Sequence, residues 1–582
     1  MMKLRNMQLT SLSNKKIEIG LHILWLGTVM AALKMIFFDY TFDEEYQIMM
    51  SYRMLRGDHM FKEMWEPHQM SAFLCTGLMW IYKAVLGTYT GVIVYLRVCT
   101  TIIQIGISLY LYKILCRLTL KEYALLCGLI YFNIVPKNLE IPEFANMQLW
   151  FFTLTVLLLM QYYMDAERYK IKKIYLLILA GICMALEVLS YPSCIVLFLV
   201  FVVCIWKQSE KNKWRDVSIF AGVCIGCAVV WLIIVLQGVS FKEFVENIVR
   251  ISDFDLTHEA SGATADKGHE ILKNIFGGIA FLTVSFLFSY LVVWILKKRK
   301  KIWDREQIFL MLLVNSVLVA ECIQMFLWTV KKSGYEVYQV HLFLLLFCGI
   351  LAWRLADEKK QWLFWGLIGT GISYLAVIYL SNLELYNALP HGVLGVVFAA
   401  LVLVFALQKV MGEAARYWIY VLLISVCAVC VWGKGYTLRA GRDYNTVIDT
   451  ESIMKHGPAV GILSDYMNAY IYNCNYQDFA QYVSAEDTVL IVANTVFSES
   501  TTPYMMCEAD VAHYSIIDPT AYDERLLTYW DLYPEKAPDV IVVDCWYGVL
   551  QENATSWIMQ YIENDFGYTQ MNDGRYVRFY RK

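Results

Sequence analysis

The sequence predicts a mainly α-helical, polytopic transmembrane bundle of about thirteen spans with a small external α/β domain at its carboxyl end. Three observations lead there. Apolar residues make up 58 % of the 582 positions and charged residues only 17 %, more apolar surface than a soluble core can hide. The apolar residues fall in runs close to the roughly 20 that a spanning helix needs, and short Lys/Arg clusters separate many of them. Past residue 434 the composition turns polar and alternates short apolar strands with helical stretches. The formal net charge of −3 gives no reason to expect a nucleic-acid partner.

By run length, spans are placed near residues 17–38, 91–112, 122–136, 145–164, 174–190, 193–206, 217–236, 276–296, 307–328, 338–356, 361–380, 388–408 and 417–433. The first follows a basic leader (Lys3, Arg5, Lys15, Lys16) without a small-residue cleavage site, and so reads as a retained helix. Basic loops around Lys113, Arg117 and Lys121, around Arg168 to Lys173, around Lys207 to Arg215, at Lys297 to Lys301, at Lys359 and Lys360, and at Lys409 and Arg416 all fall on one side if the amino terminus is cytoplasmic. The run Met70 to Leu86 must then turn back or lie on the surface rather than cross. The odd total puts the amino terminus inside and the carboxyl terminus outside. The domains are accordingly 1–433, transmembrane with an external first loop 39–69, and 434–582, extracytoplasmic.

That first loop is the most informative stretch. It gathers Asp39, Asp43, Glu44, Glu45, Asp58, Glu63 and Glu66 among Arg53, Arg56, His59, Lys62 and His68. Ile48, Met49, Tyr52 and Leu55 share one side of a 3.6-residue period, which predicts a helix along the membrane surface. Gly57-Asp58 ends it as a turn would, and Glu66-Pro67 breaks the chain before the next apolar run.

The order Asp43-Glu44, surface helix, Gly57-Asp58, Trp65-Glu66-Pro67-His68 resembles the first external loop of C-type membrane glycosyltransferases, in the branch of the protein O-mannosyltransferases and the lipid A aminoarabinose transferase. The motif-level resemblance is confined to this loop. It implies an enzyme that moves a sugar from a polyprenyl-phosphate donor to a glycan, lipid or protein acceptor at the outer membrane face.

The residues are compatible with that chemistry. No nucleotide-binding glycine loop is present, so a lipid-borne donor would need a groove between helices and a cationic site for its phosphate. A carboxylate takes the acceptor's proton while cations stabilise the departing phosphate, in a single inverting displacement. Asp43 is the candidate base, with Glu44 and Glu66 orienting the acceptor or a metal. Arg53, His68, Lys331, Lys332 and Tyr335 are the candidate phosphate contacts. The two lysines stand on the side where basic residues are rare, which either an anionic headgroup or simple snorkelling explains. Such carboxylates suit Mg²⁺ or Mn²⁺, although the resemblance leaves metal dependence open. Glu143, in an external loop beside Asn146, is either a second acidic site or an acidic surface residue. Glu187, near the outer end of its span, is a functional candidate because ionisable groups in membrane helices tend to face cavities. Residues 238–275 combine a helical stretch with a segment suited to a lid.

In the tail, Ala459 to Leu463, Val489 to Ala493 and Val540 to Val543 read as buried strands, and Tyr576 to Tyr580 as a closing strand. Most of the 16 cysteines sit in apolar runs, and Cys474, Cys507 and Cys545 in the tail read as reduced. A transporter or lipid flippase is the alternative function, and a silent binding subunit a third. A transporter would place its site near the bilayer midplane on broken, repeated helices, whereas here charge collects at one face.

Overall fold

The computed structural model describes residues 15–38, 42–133, 141–169, 173–209, 212–254, 361–380, 389–412, 450–492, 502–514, 524–546, 549–550, 561–562, 567–572 and 575–582, with isolated positions between 267 and 312 and between 420 and 427. The described helices are α1 (Lys15–Met35), α2 (Phe42–Arg56), α3 (Phe73–Leu86), α4 (Val92–Leu115), α5 (Lys121–Asn133), α6 (Phe144–Tyr169), α7 (Ile174–Ser190), α8 (Val196–Gln208), α9 (Lys213–Gly238), α10 (Phe241–Phe254), α11 (Gln361–Leu380) and α12 (Val393–Met411). Most track the expected runs closely. The runs at 276–296, 307–328, 338–356 and 417–433 lie wholly or mostly outside the described residues.

Among the described residues, Val92–Leu115, Phe144–Asp165 and Lys213–Gly238 are long and apolar enough to cross a membrane, with shorter apolar helices beside them. The outward face of α9 is apolar, with Ile225, Val229, Val230, Ile233 and Ile234 all exposed. A continuous surface of that kind needs lipid as its solvent. By contrast α6 is almost wholly buried and forms the centre of the bundle.

The tail folds as a small sheet with helices α13 (Tyr466–Tyr482), α14 (Thr502–Cys507) and α15 (Glu524–Leu532). Its strands are β1 (Ser452–Ile453), β2 (Leu463–Ser464), β3 (Thr488–Val492), β4 (Asp510–Val511), β5 (Val540–Trp546), β6 (Val549–Leu550), β7 (Thr569–Gln570) and β8 (Val577–Arg581). In the main sheet, in order β4-β3-β5-β8-β7, β3 is parallel to β4 and β5, and β8 is antiparallel to β5 and β7. The strands expected near 489–493, 540–543 and 576–580 are present as Thr488–Val492, Val540–Trp546 and Val577–Arg581, with Ala493 outside the described residues.

The expected strand at Ala459 to Leu463 is not. Only Leu463 pairs, with Ile453 and, in an isolated parallel bridge, with Phe38, and the rest is a turn with Gly457 (φ 63°) before it and Gly461 (φ 92°) in it. Ala459 and Ile462 are nonetheless fully buried, and the turn they belong to meets the bundle. Gly91 N–H donates to Gly457 O at 3.1 Å and Ile93 N–H to Pro458 O at 3.3 Å.

These contacts also place α3. Leu463 N–H donates to Phe37 O at 2.7 Å, so the end of α1 and the start of α4 both meet the C-terminal domain. Between them, Tyr52 of α2 bonds Ala509 and Lys83 of α3 pairs with Glu508. Helix α3, 14 residues or about 21 Å long, therefore has its carboxyl end against that domain. Its exposed Trp80, Ile81, Val85 and Leu86 suit a helix lying at the membrane surface.

Candidate active site

Helix α2 opens at Phe42, with Asp43 in its first turn; the Asp43 side chain lies outside the described residues. Its neighbour Glu44 is buried, and both carboxylate oxygens meet Arg97, at 2.9 Å from Nε and 2.6 Å from Nη2. Nη1 of the same arginine donates to the carbonyls of Met35, Ile36 and Phe38 at 3.3, 3.2 and 2.9 Å. Carbonyls at a helix end lack intrahelical partners. One guanidinium thus caps α1 and fixes the acid that opens α2. Arg97 was missed in the sequence, where its signal was a lone arginine inside an apolar run.

The end of α2 is a Schellman turn. Asp58 N–H donates to Arg53 O at 3.0 Å and Gly57 N–H to Met54 O at 3.3 Å, with Gly57 at φ 107°, a conformation that glycine adopts without strain. The turn carries the Asp58 carboxylate back onto Arg53, 2.7 Å from Nε. Arg53 Nη1 meets Glu66 Oε1 at 2.9 Å and Tyr514 O at 3.2 Å; Nη2 meets Glu63 O at 2.7 Å and the Tyr529 hydroxyl at 3.5 Å. All five donors of the guanidinium face protein acceptors, and the side chain is fully buried. Arg53 is therefore a clasp and not a phosphate contact.

The C-terminal domain closes this clasp. Lys536 pairs with Asp58 and, at 2.9 Å, with Asp510, while Trp65 N–H donates to Tyr514 O at 2.9 Å. The Trp65 ring packs against Tyr514, Tyr529 and Tyr533. Burial would raise the Asp58 carboxyl, but the Arg53 and Lys536 charges outweigh it and hold it below the ordinary carboxylate range. At Glu66 burial wins over Arg53 and pushes the carboxyl up. Its Oε2 meets no hydrogen-bond donor among the described residues.

Helix α10 braces the same loop. Phe61 has φ 59°, a strained value for a bulky residue, held by Gln69 Oε1 on its N–H (2.8 Å) and Asn247 Nδ2 on its carbonyl (2.7 Å). Asn247 and Glu243 both bond the Tyr533 hydroxyl. The helical stretch expected within 238–275 is present as Phe241–Phe254; of the segment suited to a lid, residues 255–266 lie outside the described residues.

His68 stands apart from Arg53. Its ring stacks on Phe144 at 4.2 Å between centroids and 6° between planes, with Tyr191 at 5.4 Å and Tyr46 at 6.4 Å. Tyr191 in turn meets His391 edge-on at 4.7 Å. Three short 3₁₀ segments, Gln69–Ala72, Pro192–Ile195 and Leu389–Gly392, pack around the ends of α6, α7 and α11 here. Glu143 is buried, and its Oε1 accepts from Asn146 N–H at 2.8 Å as a cap on α6, so it is not a surface residue.

Lys331, Lys332 and Tyr335 lie outside the described residues. Among the described residues no three His, Cys, Asp or Glu side chains gather as a metal would require. Glu44 meets Arg97 through both oxygens and Glu66 meets Arg53 through Oε1.

Fold and site together are those of a helical membrane protein whose first loop is locked beneath a small α/β domain. Among solved structures, the chain is similar in outline to the crystal structure of ArnT from Cupriavidus metallidurans in the apo state, with a TM-score of 0.48 and 10 % identity over 97 % of this chain and 98 % of that one. No protein-family model and no curated protein matches the sequence.

Proposed function

We propose that the protein is a membrane glycosyltransferase that moves a sugar from a polyprenyl-phosphate donor to a cell-envelope or protein acceptor at the outer membrane face. The observation that carries this reading is the mounting of Asp43. Its helix turn is tied through Glu44 and Arg97 to the ends of α1 and α4, beneath the C-terminal domain and within the one loop whose motif order resembles that family.

Asp43 acts as the base, taking the acceptor hydroxyl's proton as the oxygen attacks the anomeric carbon, with inversion. Glu44 positions it. Glu66, buried and partly open, orients the acceptor, and His68 faces the departing phosphate together with Lys331, Lys332 and Tyr335. Arg53 holds the loop in shape. A flippase would be expected to carry its charged groups near the midplane, whereas the acids named here lie near the C-terminal domain.

Two measurements test the reading. Purified protein is expected to turn over a polyprenyl-phosphate sugar and to ignore nucleotide sugars; turnover of a nucleotide sugar in lipid-free detergent would sink it. A reporter active only outside the cytoplasm is expected to work when fused after Asp58, Gly262 or Lys582 and to stay silent after Lys172 or Lys300. Activity after Lys300 would reverse the sidedness and remove the site from the outer face.

A further inference from the structure

One turn below Tyr191, inside the bundle, lies a polar group that the transfer chemistry leaves unused. Glu187 of α7 is fully buried, and its backbone carbonyl accepts from Tyr191 N–H at 2.9 Å, which ties it to the ring that meets His68 and His391. Gln148 of α6 donates from Nε2 to Glu187 Oε1 and to Ser373 Oγ of α11, both at 3.2 Å. Ser373 Oγ also lies 3.7 Å from Cys194 Sγ, in the 3₁₀ segment that follows α7. Four elements thus contribute one polar side chain each to a common point.

The group is unbalanced in one direction. Glu187 Oε2 and Gln148 Oε1 are buried and meet no hydrogen-bond donor among the described residues. Leaving buried acceptors unmatched is costly, more so between membrane helices than in a soluble core. Gln148 Oε1 accepts, and a buried carboxyl without a cation beside it offers Oε2 as hydroxyl or as carboxylate oxygen, so the complementary ligand presents hydroxyl or amino groups that can donate and accept. The Tyr191, Phe144 and His68 rings nearby supply the apolar wall that small-molecule sites combine with a few polar groups.

We propose that Glu187, Gln148 and Ser373 form a sugar-recognition subsite, in which the two open atoms take hydroxyl or amino groups of the sugar carried by the lipid phosphate. The inference rests on the glycosyltransferase reading and deepens it: the first loop supplies the chemistry, and this subsite selects the sugar. The 3₁₀ break at Pro192–Ile195 keeps continuous helix from closing over the Glu187 end of α7.

The test is equilibrium binding to the purified full-length protein in nanodiscs of three probes: undecaprenyl phosphate, undecaprenyl-phosphate-linked glucose and an undecaprenyl-phosphate-linked amino sugar. Wild type is expected to prefer at least one sugar-bearing probe over the bare lipid, and the arm that binds tighter tells hydroxyl from amino recognition. Glu187→Gln keeps the shape but puts in place of one carboxyl oxygen an amide NH2, which cannot accept, and is expected to reduce that preference about ten- to a hundredfold, with bare-lipid affinity unchanged. Gln148→Met is expected to act in the same direction and answers the question if Glu187→Gln does not fold. Unchanged preference in a folded variant overturns the subsite alone, as does a wild type that binds all three probes equally. A wild type that binds none of the three and turns over no lipid-linked sugar overturns the transferase reading as well.

Discussion

Asp43→Asn is expected to lower turnover at least about a hundredfold with donor affinity little changed, because general-base catalysis contributes typically about 10² to 10⁴ in rate. Asparagine keeps the shape and polarity and removes only the proton acceptor. The competing account is that the residue supports the start of α2. The helix begins at Phe42, which puts Asp43 inside the first turn rather than at the capping position, where its value is a dipole interaction of about 0.3–1 kcal/mol. That would lower stability slightly without touching the chemistry. Near-normal turnover in Asp43→Asn would therefore remove it as base and move the search to Glu66, whose Oε2 has no donor among the described residues, ahead of Glu44 and Glu143, which hold an arginine and a helix end.

Arg53→Met is expected to destabilise the protein by about 3–5 kcal/mol, since removing one partner leaves Asp58 and Glu66 buried without their shared cation. The melting temperature should fall, and protease should reach the C-terminal domain at lower temperature. An unchanged melting temperature would show that the clasp carries no net stability. Asp58 sets a pH signature. Its folded value is lowered, so its contribution is fully present above the unfolded value of about 3.9 and is lost as pH falls through the lowered folded value. Glu66 has the opposite sign: its raised folded value removes stability as pH rises past the ordinary carboxylate range, and acid restores it. Asp58→Asn should thus flatten the acid limb below about pH 4 and leave the Glu66 limb in place.

Much of the helical frame was legible because apolar run length and Lys/Arg placement report directly on a bilayer. For the run Met70 to Leu86 charge argued against a crossing, and Lys83 near the carboxyl end of α3 pairs with Glu508 of the C-terminal domain. The end of α2 was legible too, since Gly57-Asp58 carries its own turn chemistry. Partnerships were not. Arg53 looked available for a phosphate because Lys536, Tyr514 and Tyr529 come from a region hundreds of residues away, and no local pattern announces them. Asp58 read as a mere turn residue for the same reason. Ala459 to Leu463 failed differently: an apolar run reports that a segment is buried, not whether a sheet or a neighbouring helix covers it. Gln148, Tyr191 and His391 sat unremarked in apolar runs, although a polar side chain in such a run is itself a signal.

The clasp also has an order in time. Arg53, Asp58 and Glu66 are made early and together carry one formal positive charge against two negative. The second positive charge, Lys536, lies 478 residues beyond Asp58. Throughout synthesis of the bundle the first loop is an acid-rich segment that cannot bury its charges in balance, and it reaches its final shape only when the segment carrying Lys536 meets it. A chain cut short of residue 536 would keep its membrane helices and its candidate base, yet lack the lysine that lets the loop settle. The loop therefore settles only after the segment that carries Lys536 has been made.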